Sequence, residues 1–80
     1  QKINKIFCEI KYYNLLELKE IKKSLINASV VKKIDLKKIS FKINIYDIHF
    51  FGNIKILTEL LSKNNLNINF ENNNCSIYLK

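Results

Sequence analysis

Eighty residues allow one domain whose core supplies little net stability and leaves little room for a buried catalytic cavity. An apolar content of 48% with regular periodicity excludes a disordered chain, and no run approaches the roughly 18 apolar residues that span a bilayer. A formal charge of +7 points in principle to an anionic partner, but all 14 basic residues are Lys, and the absence of Arg removes the side chain suited to bidentate phosphate and guanine contacts. Ile, Asn and Lys together make up half the chain, the bias an AT-rich genome produces. Residues 1 to 40 carry ten Lys against four acids, so any electrostatic footprint centres on Lys19, Lys22, Lys23, Lys32, Lys33, Lys37 and Lys38. The chain begins at Gln1 rather than Met, with no apolar leader core, which reads as a processed chain or an excised domain.

The first strand is expected from about Ile3 to Tyr13. From Ile6 onward, alternation places Ile6, Cys8, Ile10 and Tyr12 on one face and Phe7, Glu9 and Lys11 on the other. Asn14 then caps a helix, with Glu17 three residues on in a variant of the capping box. Leu15, Leu18, Ile21 and Leu25 form its apolar stripe, and Lys19, Glu20, Lys22 and Lys23 face water. Asn27, Ala28 and Ser29 end the helix ahead of a strand over Val30 to Leu36.

The pair Lys37-Lys38 is read as a hairpin turn into a strand over Ile39 to Ile48, which puts Phe41, Ile43 and Ile45 on the core face and Ser40, Lys42, Asn44 and Tyr46 on the other. Gly52, the one glycine in the chain, marks a position of positive φ or close approach between this strand and the next helix. That helix runs from about Asn53 to Lys63 and buries Ile54, Leu57, Leu60 and Leu61. Asn64 and Asn65 stop it, a strand follows through Leu66, Ile68 and Phe70, and Asn72-Asn73-Asn74 turns into a last strand carrying Cys75, Ile77 and Leu79.

At a shift of 39 residues, Asn14, Leu18 and Glu20 fall on Asn53, Leu57 and Glu59, so residues 1–80 read as one domain built from two strand-helix-strand repeats, about 3–36 and 39–80. The order β-α-β-β-α-β with a terminal hairpin extension predicts an α+β, ferredoxin-like sandwich, an antiparallel sheet with both helices on one face. The bare face, carrying Phe7, Glu9, Lys11, Lys42, Asn44 and Tyr46, is the candidate interaction surface.

Cys8, Cys75 and His49 fall short of a structural zinc set, and no cofactor motif is present. The two thiols read either as small buried hydrophobes or as one disulfide between neighbouring strands. A lone histidine without a spacing signature gives no nucleophile-base pair, so the chain reads as non-enzymatic. Phe7 and Tyr46 stand where the RNA-recognition module stacks bases, beside Lys11 and Lys42, but that module's Lys/Arg-Gly-aromatic run is absent.

The stretch Tyr13-Asn-Leu-Leu-Glu-Leu18, with Ile21, Leu25, Val31, Ile34, Leu36, Ile39-Ser40, Phe51-Gly52, Leu57, Leu60 and Leu66, resembles the paired-repeat C-terminal region of an uncharacterised proteobacterial cell-envelope family of unknown function. The resemblance implies an exported protein and supplies no catalytic residues. The expected function is thus a non-catalytic interaction or assembly domain of a larger envelope or periplasmic protein. Its expected partner is another protein or a neighbouring domain, and edge strands are available for self-association. The alternative is a cytoplasmic module that binds single-stranded RNA weakly through the lysine-rich first half and the bare sheet face.

Overall fold

In the computed structural model, which describes residues 2–71 and 74–80, seven elements follow in the order β1 (Ile3–Lys11), α1 (Leu15–Asn27), β2 (Val31–Ser40), β3 (Ile43–Phe51), α2 (Ile54–Lys63), β4 (Leu66–Glu71) and β5 (Asn74–Leu79). The strands form one five-stranded mixed sheet ordered β2-β3-β1-β5-β4. The core joins Ile21 and Leu25 of α1 and Leu57 and Leu61 of α2 to one parity of the strands: Cys8, Ile10, Tyr46, Ile48, Phe50, Leu66, Cys75 and Ile77. Because alternate strand residues point to opposite faces, both helices lie on the same side of the sheet.

Local chemistry explains the helix ends. Asn14 and Asn53 hold extended backbone at the N-caps, and their side chains accept from the N–H groups of Glu17 (2.8 Å) and Ile56 (3.0 Å). The first-turn residues Leu15 and Ile54, expected in the apolar stripes, stay at the surface, and the buried stripes begin one turn later. Gly52 adopts φ +89° between β3 and α2, as its isolation in the sequence implies. A Cβ built there meets nothing nearer than Ile56 Cδ1 at 3.9 Å, so only the backbone resists a side chain. Gly52→Ala should therefore lower stability by about 1–2 kcal/mol in urea titration without changing the packing of α2.

The expected hairpin and sheet order need correction. The hairpin between β2 and β3 turns at Phe41-Lys42 rather than at Lys37-Lys38, which lie within β2. Neither pair carries the Asn or Gly that would declare a turn, and Lys42 takes φ +59° where such residues normally sit. The sheet is also not the all-antiparallel ferredoxin-like one. There the strand after α2 would pair with β1; here β5 occupies that place, parallel to β1, and β4 lies outside it. Polarity accounts for the exchange: β5 alternates Cys75, Ile77 and Leu79 with Ser76 and Tyr78, whereas β4 carries Asn67, Asn69 and Glu71, which are better left at an edge. Asn74, placed in the last turn by the sequence reading, begins β5; Asn72 and Asn73 lie outside the described residues.

The β1–β5 pairing spans Cys8 to Ile10 and sets Cys8 directly opposite Cys75. Their Cα atoms are 4.6 Å apart and the sulfurs form a disulfide, buried beneath the helices. Both sequence readings of these residues hold together: the cysteines are core side chains, and they are joined.

Candidate interaction surface

The uncovered face of the sheet holds half of the expected residues. Phe7, Glu9 and Lys11 of β1 point away from the helices, with Phe7 exposed. Asn44 and Tyr46 do not: both are buried on the helix side, opposite Ile10 and Cys8 respectively. Asn44 Oδ1 accepts from Tyr12 Oη at 3.0 Å, and the Lys22 ammonium lies 6.0 Å from the Tyr46 ring. Lys42 sits in the hairpin turn, not on the sheet. The face of β3 is thus the reverse of that expected, because apolar residues occur at both parities of this strand. The even set buries Tyr46, Ile48 and Phe50, while the odd set leaves Asp47 and His49 on the open side. With Tyr46 in the core, the two-ring stacking platform expected for RNA is not assembled.

Charge pairs occupy much of the open face beside β2. Asp47, nearly buried, has the ammonium groups of Lys37 at 3.5 Å and Lys5 at 3.9 Å, one from each neighbouring strand. Directly across from it, Asp35 is held by His49 Nε2 at 3.0 Å and Lys33 at 3.6 Å. Two like charges in register would repel, and these four cationic or polar partners offset that repulsion. His49 therefore serves within this network, while Cys8 and Cys75 lie on the opposite face of the sheet.

The strongest exposure lies at one end of the sheet, where the β1–α1 loop meets the β2–β3 turn. Tyr13, Leu15, Leu16, Ile39 and Phe41 are each two-thirds exposed or more, Phe41 reaching 84%. The two loops are tied together: Tyr12 N–H donates to the Lys42 carbonyl at 3.1 Å, and Lys42 Nζ stands 5.8 Å from the Tyr13 ring and 5.2 Å from the Phe41 ring. Tyr13 N–H in turn donates to Glu17 Oε1 at 3.2 Å, fixing the ring's stem to the first turn of α1. Tyr13, Phe41 and Lys42 also line a groove of about 680 Å³ together with Lys11, Tyr78 and Lys80. Sequence reasoning placed Leu15 and Phe41 in the core, since an exposed apolar residue looks like a core residue until the register is known. The signal that could have placed Phe41 is the parity of Asp47 and His49, which assigns the odd positions of that stretch to the open side; Leu15, on α1, carries no such signal.

Scans against protein-family models, curated proteins and solved structures find no match to this chain. The reading of the surface consequently rests on its chemistry.

Proposed function

We propose that this chain is a non-catalytic interaction module, a variant of the ferredoxin-like plan, that docks its apolar tip against another protein or a neighbouring domain of a larger envelope protein. The observation that carries the reading is that Tyr13, Leu15, Leu16, Ile39 and Phe41, all in or beside the β1–α1 loop and the β2–β3 turn, stand exposed, with the Tyr13 and Phe41 rings joined through Lys42. Large apolar side chains gathered at one place are unfavourable in water and gain free energy when a partner covers them. The strained φ of Lys42 adds support, since a left-handed non-glycine residue is kept at a cost of about 1 kcal/mol. Anchoring of both loops by hydrogen bonds lowers the ordering cost of docking. The buried disulfide supports an oxidising compartment, in keeping with the envelope address that the family resemblance implies.

The test is affinity capture from extracts of the source cells, with the wild type beside Leu16→Ser/Phe41→Ser and, as a control on the open face, Phe7→Ser. The tip variant should keep the wild-type unfolding midpoint and lose a discrete protein partner, whereas the Phe7 variant should retain it. Equal capture by all three proteins would remove the tip from the account. Capture abolished by nuclease in every case would favour the nucleic-acid alternative.

A further inference from the structure

The sheet has two outer strands, and they are built differently. β2 carries Lys32, Lys33, Lys37 and Lys38, and its pairing with β3 shifts register twice, between Val31 and Lys33 and between Leu36 and Lys38. Lysines and bulges are the devices by which an edge refuses a further strand. β4 has neither. Leu66 to Phe70 contains no charged residue, and its pairing with β5 runs from Leu66 to Glu71 without interruption.

The phase of the β4 backbone follows from one bond. Lys80 N–H donates to the Asn65 carbonyl at 2.9 Å, and these residues continue the β4–β5 register in which Leu66 faces Leu79. In an antiparallel ladder hydrogen-bonded pairs alternate with non-bonded ones, so Asn67, Asn69 and Glu71 turn their N–H and C=O groups inward to β5. Leu66, Ile68 and Phe70 turn theirs outward, to the edge that no strand covers among the described residues.

We propose that this edge pairs with β4 of a second copy of the chain about a two-fold axis at Ile68. In that arrangement Ile68 faces its own counterpart and Leu66 faces the other copy's Phe70, all through the outward backbone groups. Asn67 faces the other copy's Asn69 on the open side of the sheet. Side-chain parity is kept throughout: Leu66, Ile68 and Phe70 stay on the helix side, and the two asparagine pairs stay on the other. The match is self-complementary, as a two-fold interface requires, and it joins two sheets into one of ten strands. The lysine-free edge is also the place where two copies of charge +7 approach with least local repulsion. This surface is separate from the apolar tip, so either proposal can fail alone.

Sedimentation velocity over a protein concentration series up to millimolar tests it. The wild type should pass from monomer to dimer, and more readily as salt screens the like net charges. Phe70→Pro removes an outward N–H that β5 does not use and should leave the chain monomeric and folded. Asn67→Lys/Asn69→Lys should do the same through like charges. In contrast, Asn67→Lys/Asn69→Glu places opposite charges face to face in the proposed register and should tighten association by about tenfold. A wild type that stays monomeric throughout would overturn the proposal. So would a lysine-glutamate variant that associates no better than the double-lysine one, because the register would then be wrong.

Discussion

Replacing both cysteines, Cys8→Ala with Cys75→Ala, is expected to destabilise the domain by about 4 kcal/mol. The disulfide links positions 67 residues apart, and closing a loop of that length removes about 4 kcal/mol of chain entropy from the unfolded state. A domain of this size has about 4–12 kcal/mol in total, so the loss takes it close to the folding threshold. The location adds a structural consequence. The bond joins the first strand to the last across the seam where β1 meets β5, and the parallel pairing there covers three residue pairs. On the far side lies the β4–β5 hairpin, with α2 packed on β4 and α1 touching β5. Weakening the seam should release amide protection in β4 and β5 before β1 and β3. The check is urea unfolding with and without reductant, followed by hydrogen exchange. An unchanged midpoint, or two free thiols in the unreduced native protein, would show that the strands hold without the bond.

The second large effect distinguishes two phenylalanines nine positions apart on one hairpin. Phe50→Ala should cost about 3–5 kcal/mol, because the ring is 2% exposed and its removal leaves a cavity between the sheet and the helices. Phe41→Ala should change stability by about 0.5 kcal/mol or less, since that ring stands in solvent. Equilibrium unfolding of the two variants tests whether the core ring is Phe50 of β3 and not Phe41 of the turn. Comparable losses at both positions would mean that Phe41 is packed, and the tip would cease to be an exposed apolar surface.

This contrast also shows what could be read before the fold was known. The N-caps Asn14 and Asn53 and the left-handed Gly52 were legible because each is decided by a few adjacent atoms. The alternation of β1 was legible because Cys8 and Ile10 oppose Glu9 and Lys11 without ambiguity. β3 offered apolar residues at both parities, and its hairpin had no glycine or asparagine at the turn, so the expected parity put Phe41 inside and Asn44 and Tyr46 outside, the reverse of what the structure shows. The place of β5 between β1 and β4 depended on a non-local choice between two short strands, which the asparagines of β4 settle only once the alternatives are compared. The candidate site suffered most, because three of its six residues lay on β3 or in the turn before it, and the apolar tip was hidden among residues that composition alone assigns to the core.

The central claim is that the tip formed by the β1–α1 loop and the β2–β3 turn is covered by a partner protein or domain in the cell. A photo-crosslinking residue placed at Phe41 in the protein expressed in its source cells, with the same residue at Lys55 on α2 and at Phe7 on the open sheet face as controls, tests it directly. The account predicts one discrete higher-mass adduct from position 41 and none of comparable yield from positions 7 and 55. An adduct that forms equally at all three positions, or at position 7 alone, would contradict it.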